Sequence, residues 1–303
     1  MAAFAKKNFG YAAYANHRPI YPTTLFTAHL LPYHHGPTNT LLDLGCGPGT
    51  VTRPLGAHFT RAIGVDPSPG MLESARALTP PDKYPHIEYH LADAETLPFL
   101  PDASVDMVVS AQAAHWFDLP RFWAEMARVM RSGGTLAAWT YKDFVFPGFP
   151  AASLVVARYT YGVDKMGPCW QQPGRTRCQS RMRFLDPPAA EWEGVERWEY
   201  EPKVEGGAED LKELGYANEV DETEGLVKRG VPLLSLKWKL GDVESYARTW
   251  SAAHEWGVRN EGGDVIGDMF ADIRKAAGWE GEGWRERVVD VEFGHGVLCV
   301  RRK

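Results

Sequence analysis

The run Leu41–Thr50, L-L-D-L-G-C-G-P-G-T, constrains the fold more than any other stretch of the 303 residues. Two apolar residues, an acid and a third apolar residue read as a short buried parallel strand. Gly45, Gly47 and Gly49 then turn the chain sharply and let its backbone approach a ligand where a β-carbon would collide. The helix that follows offers unpaired N–H groups, so strand, turn and helix together form a cofactor site; taken alone, the run also reads as an ordinary tight turn. A dinucleotide fingerprint, G-x-G-x-x-G, would need glycine at position 50, where this chain has Thr50.

From Leu41 onward strands and helices alternate. The strand R-A-I-G-V-D ends at Asp66, 21 residues beyond Gly45, where a carboxylate can accept from both hydroxyls of a ribose. Capping of the next helix is the other use for Asp66, and Ser68 serves that equally well. The third strand, H-I-E-Y-H-L, leads to Asp93, placed to accept from an adenine amine while Ala94 supplies a backbone N–H. S-V-D-M-V-V-S, residues 104–110, is a nearly continuous apolar strand that opens onto Gln112 and A-A-H-W-F-D. An amphipathic helix over 122–130, ended by a glycine cap in R-S-G-G, precedes a fifth strand, T-L-A-A-W-T-Y, ending at Tyr141. Four β-α units in about 100 residues predict a doubly wound, mainly parallel sheet. Its ligand belongs at the carboxyl ends of the strands, where Gly45, Asp66, Asp93 and Gln112 converge.

After Tyr141 the regularity stops. A helix over 153–161, a glutamate-rich surface over 191–224 with a strand near 197–200, and renewed strand character in V-P-L-L-S-L-K-W-K-L follow. Asp242 is placed to cap a helix with Val243, Tyr246, Trp250 and Ala253 on one face, and V-V-D-V-E-F through V-L-C-V forms a last strand. The 44% apolar content supports a substantial core. A net charge of −6 argues against a nonspecific nucleic-acid binder and favours a small-molecule acceptor. No segment reads as a membrane helix or secretory signal, so the expected setting is cytoplasmic, without membrane partners. Cys46, Cys169, Cys178 and Cys299 show no C-x-x-C spacing, so no metal is expected.

The G-x-G-x-G turn after an aspartate-containing strand resembles motif I of the class I S-adenosylmethionine (SAM)-dependent methyltransferases. Together with R-P-I-Y-P, A-A-H-W-F-D, W-Q-Q-P-G-R at 170–175 and Y-A-R-T-W-S-A-A-H-E-W at 246–256, the chain resembles the fungal trans-aconitate methyltransferase-like family over nearly its whole length. The segment over 190–232 is divergent, and Cys169 stands where an aromatic is expected. The resemblance implies a seven-stranded Rossmann-like methyltransferase sheet with an N-terminal lid and a helical insertion after the fifth strand. The divisions are a lid at 1–35, a SAM-binding core at 36–145, an insertion at 146–287 and a returning strand at 288–303. It implies SAM as cofactor and S-adenosylhomocysteine as product. Asp43 would hold the amino-acid end, and Tyr14 and Arg18 would approach the sulfonium and carboxylate.

The implied chemistry is in-line displacement by a substrate oxygen, with a carboxylate of a small acid or fungal metabolite as acceptor. Such a nucleophile is ionised at neutral pH and needs no base. Arg175 and Arg248 are candidates to hold it, with structural pairing to local glutamates as the plainer use. His115 either touches substrate, takes the proton of a phenol in secondary metabolism, or orients its loop. Trp116, Trp170 and Tyr141 line the pocket or simply pack. A SAM-binding regulatory subunit without turnover is the third reading, and a monomer and a homodimer are equally compatible with the sequence.

Overall fold

The computed structural model describes residues 17–204, 227–229, 232–261 and 263–303. Tyr14 therefore lies outside the described residues. Five strands run parallel in the order β3 (Ile87–Leu91), β2 (Arg61–Asp66), β1 (Thr40–Leu44), β4 (Val105–Ala111), β5 (Met130–Val145). The sheet continues through β9 (Val288–Arg302), antiparallel to β5, then β6 (Trp192–Tyr200) and β7 (Val227–Arg229). A further strand, β8 (Ser235–Lys239), pairs antiparallel with β9.

Among the described residues the sheet thus has nine strands and not the seven that the resemblance implies. The reason lies in β9, which is one 15-residue strand. Its first half, V-V-D-V-E-F, alternates exposed and buried and pairs with β8; its second half is buried and pairs with β6. A strand of that length outruns the depth of the parallel sheet, and the overhang recruits its own partner.

Residues on each strand alternate between two hydrophobic clusters. Leu41, Val109, Ala137, Trp139, Val297 and Cys299 face one layer; Leu42, Leu44, Val108, Leu136, Ala138, Leu298 and Val300 face the other. Covering of both faces is what a doubly wound sheet requires. The first layer contains a helix over Leu25–Leu30 continuing through Leu31–Tyr33 (α1), α2 (Thr52–Gly56), α5 (Pro150–Tyr161), α7 (Leu240–Ala247) and α9 (Val265–Ala277). The opposite layer is built on α4 (Leu119–Val129), while α3 (Pro69–Ala77) packs beside β2 and β3. In α4 the buried Phe122, Trp123, Met126 and Val129 recur at helical spacing. Burial of each contributes about 1.5–3 kcal/mol.

Local details depart from expectation where tertiary packing decides. The helix before β5 stops at Val129 without a glycine cap: Met130 is already extended, and Gly133, with φ of 79°, sits in a bulge of β5. Ser68, not Asp66, caps α3, accepting from Met71 N–H. The late helix is two, α7 and α8 (Ser251–Arg259), with Lys239 preceding α7 and Asp242 inside its first turn. Four segments brought against β5 and β9 build one end of the molecule: α5, α6 (Gly174–Gln179), α7 and β6.

The tightest of these contacts is at Gly296 in β9. A β-carbon there would lie 2.0 Å from the Arg181 carbonyl oxygen. Backbone cannot yield as a flexible side chain can, so Gly296→Ala is expected to cost about 2–3 kcal/mol in urea unfolding. Gly257, exposed within α8 with open space around it, is the contrasting site, and Gly257→Ala is expected to gain about 0.5–1 kcal/mol.

Candidate functional site

Strand register lines up the predicted residues. Asp66 ends β2 opposite Leu91 of β3, so Asp93 stands two residues beyond that pair. Leu44 lies beside Val65, bringing the glycine turn next to Asp66, and Gln112 follows Ala111, the last β4 residue paired with β5. Asp66 is bound into the turn itself: Gly47 N–H and Ser68 N–H each donate to its carboxylate at 2.9 Å. Burial raises its pKa, those two donors opposing. Ala94 is buried and Asp93 exposed.

Two cavities meet at this edge. The first, with about 450 Å³ of free space, is lined by Asp43, Gly45, Gly47, Thr50 and Val51, together with Pro19 and Tyr21. Gly45, Gly47 and Gly49 all have positive φ, and a side chain on Gly45 would strike the Ala113 β-carbon at 2.3 Å. Around Gly47 there is open space on the side where a β-carbon would stand. Asp43 is buried; its Oδ2 accepts from the Thr52 hydroxyl at 2.6 Å, while its buried Oδ1 has no partner. Burial pushes its pKa up to about 7, against the pull of Thr52. An orphaned carboxylate oxygen beside a backbone cradle fits the ammonium of an amino-acid group.

The second cavity, with about 630 Å³ of free space reaching out to solvent, shares Arg18, Gln112 and Tyr141 with the first. The Gln112 amide is committed to β5, donating to the Tyr141 carbonyl at 2.9 Å and accepting from Tyr141 N–H at 3.0 Å. These two bonds continue β4-to-β5 pairing beyond the strand end, with Gln112 at a φ of 55°. Arg18 donates to the Tyr141 hydroxyl at 3.1 Å and the Thr249 carbonyl at 3.4 Å, its guanidinium 5.3 Å from the Tyr246 ring centre. The rest of the wall includes His115, Trp116, Asp143, Trp170, Arg175 and Trp250.

W-Q-Q-P-G-R proves to be the start of α6 and its approach. Gly174 lies against Trp116: a β-carbon there would meet the end of its ring at 2.7 Å, so the ring would have to shift for any other residue. Trp170 N–H donates to the Thr160 carbonyl at 2.8 Å. Arg175 places Nη1 and Nη2 at 3.2 and 2.6 Å from the two Asp143 oxygens, and its guanidinium lies 4.2 Å from Trp170 and 4.6 Å from Tyr161 ring centres. Burial works against its charge, but Asp143 holds the pKa above the ordinary arginine range. The Tyr161 hydroxyl donates to the same carboxylate at 2.5 Å.

His115 is buried with Nδ1 unpartnered. Burial drives its pKa down to about 3, aided by the charges of Arg177, Arg18 and Arg175, so the ring is neutral. Arg177 holds the loop by donating to the His115 and Phe117 carbonyls at 3.2 and 3.0 Å.

Arg248 departs from the sequence expectation. It is not part of the cavity wall: its guanidinium pairs with Glu244 at 2.6 Å and Asp264 at 2.8 Å on the outer side of α7. Residues that sequence reasoning missed are Lys142 and Asp143 at the end of β5, Cys178, Tyr246, Trp250 and Ser251. T-Y-K-D-F-V-F carried the signal for the first two, since adjacent charges inside an apolar strand need partners. Among the described residues no helix is long and apolar enough to cross a membrane, and no cluster of His, Cys, Asp and Glu has the form of a metal site.

A family model for a methyltransferase domain matches residues 42–138. A Saccharomyces cerevisiae protein described as "Probable S-adenosylmethionine-dependent methyltransferase CRG1" is 37% identical over 54% of this chain and 57% of its own length. The malonyl-[acyl-carrier protein] O-methyltransferase of Hahella chejuensis is 43% identical over 33% of this chain and 36% of its own. The chain spans about half the length of the first curated relatives it matches. Among solved structures, one from Anaeromyxobacter dehalogenans described as a "putative type II methyltransferase" aligns with 94% of this chain and 97% of its own, at 29% identity and a TM-score of 0.65. That likeness extends through the part beyond residue 138.

A carboxylate whose pKa is raised by burial must lose its proton to meet a cation. Affinity for S-adenosylhomocysteine is therefore expected to fall on the order of tenfold for each pH unit below about 7. Calorimetric titration across that range checks this, and Asp43→Asn is expected to bind weakly with a flat pH profile.

Proposed function

We propose that the protein, whose residues 42–138 match a family model for a methyltransferase domain, is a class I SAM-dependent O-methyltransferase whose acceptor is a carboxylate oxygen of a small organic acid. When bound, SAM supplies a methyl group: a carbon–oxygen bond forms to the acceptor, the sulfur–carbon bond breaks with its electrons staying on sulfur, and no proton moves. Asp43 would hold the cofactor's ammonium and Arg18 its carboxylate, with Asp66 at the ribose and Asp93 with Ala94 at the adenine.

The observation that carries the acceptor reading is the second cavity: an aromatic-walled space, holding Arg175, that adjoins the glycine turn through Arg18, Gln112 and Tyr141. An ionised carboxylate needs placement and no base, and orientation alone contributes up to about 7–11 kcal/mol. Trp116, Trp170 and Tyr141 would confine the acceptor, with His115 as a neutral hydrogen-bonding group. The malonyl-[acyl-carrier protein] relative is named for O-methylation, which supports oxygen as the methylated atom.

The phenol reading asks His115 to be a base, and a ring with a pKa near 3 is a poor one. The test is incubation with SAM and a panel of carboxylic acids and phenols, with mass-spectrometric detection of methyl esters and ethers. Esters are expected, with a rate at saturating cofactor that is level from about pH 7.5 to about pH 9. His115→Gln is expected to retain activity to within about tenfold, where loss of a general base would cost about 10²–10⁴-fold. Methylation of phenols only, rising with pH and lost in His115→Gln, selects the alternative. Tight cofactor binding with no product from any acceptor selects a regulatory subunit.

A further inference from the structure

Two cations lining the acceptor cavity, Arg175 and Lys142, are matched by carboxylates within the protein. Arg175 gives both Nη atoms to Asp143, and Lys142 gives its ammonium to Glu201 at 2.9 and 3.0 Å. Each of these cations is buried together with its own carboxylate. Around them stand the flat faces of Trp116, Trp170, Trp250, Tyr141 and Tyr246.

Resting on the carboxylate reading above, we infer that the cavity selects an acceptor with one carboxylate on a planar apolar body, and that Asp143 is the specificity-determining residue that turns polycarboxylates away. Of the five N–H donors of the Arg175 guanidinium, Asp143 takes two, leaving three donors but no uncompensated positive charge. SAM itself carries a single unmatched positive charge, on sulfur, once its ammonium and carboxylate cancel. One acceptor carboxylate balances that charge. A second or third would be desolvated beside Asp143 without a cation of its own, and such a charge is costly. The aromatic faces suit a flat hydrocarbon, whose burial supplies the affinity that charge does not. Tyr161 keeps Asp143 in place by donating to the oxygen that also meets Arg175 Nη2.

The experiment is a tryptophan-fluorescence titration of the protein saturated with S-adenosylhomocysteine, using trans-cinnamate as the planar monocarboxylate and trans-aconitate as the tricarboxylate. The native protein is expected to bind cinnamate at least about tenfold more tightly, and Asp143→Asn to shift the ratio about tenfold toward aconitate by leaving Arg175 uncompensated. Equal or tighter binding of aconitate by the native protein, binding of neither acid, or a ratio unmoved in folded Asp143→Asn overturns the inference. Should that variant not fold by circular dichroism, the native ratio decides alone. Failure of the activity reading looks different: cinnamate binds preferentially, yet no acid is methylated with SAM. Esterification of aconitate in preference to cinnamate sinks the inference and leaves the activity standing.

Discussion

Charge buried at the end of a central strand has to be cancelled on the spot, and in this protein that requirement ties the irregular half of the chain to the sheet. Lys142 and Asp143 are consecutive buried residues of β5, at the irregularity where its pairing with β9 shifts between Tyr141 and Phe144, and both line the second cavity. Lys142 takes Glu201, which follows β6, and Asp143 takes Arg175 of α6. Glu201 also accepts from Arg181, and Arg181 and Arg183 both pair with Glu199. Removing one partner from such a chain strands a buried charge, at a cost of about 3–5 kcal/mol. The segment 170–183 is thereby seated over one cavity by electrostatics, with Gly296 and Gly174 permitting the close approaches.

The cofactor end depends on backbone instead. Glycines with positive φ, the Gly47 N–H on Asp66 and parallel register bring the ends of β1, β2 and β4 together. Asp43 is the exception, a buried side chain with one oxygen left unpartnered at this edge. Gln112 belongs to both regimes, since its side chain imitates a strand and extends the β4–β5 ladder into the wall between the cavities.

What the sequence made legible follows from this division. The glycine turn, Asp66, Asp93 and Gln112 were readable because parallel β-α units convert spacing along the chain into position along one edge. The acceptor side has no such rule. Arg175 and Arg248 looked alike in the sequence, yet one stacks on Trp170 in the cavity and the other bridges two acids outside it. Glu244 four residues before Arg248 was the available hint of a helix-surface pair. For Arg175 the partner is 32 residues away, and no local pattern announces it. The count of seven strands came from the resemblance: the residues themselves gave β8 its strand character and β9 as one last strand, whereas the three-residue β7 was not expected.

The placement of the two buried charges at one end of β5 has a consequence for how the chain can vary. The stretch that the methyltransferase-domain model matches, residues 42–138, ends just before Lys142 and Asp143. Beyond them, Trp170, Arg175, Tyr246 and Trp250 come from segments that contribute nothing to the glycine turn. A chain built this way can accept different loops over the second cavity like a cassette, re-docked on the same pair of charges, without disturbing the glycine turn.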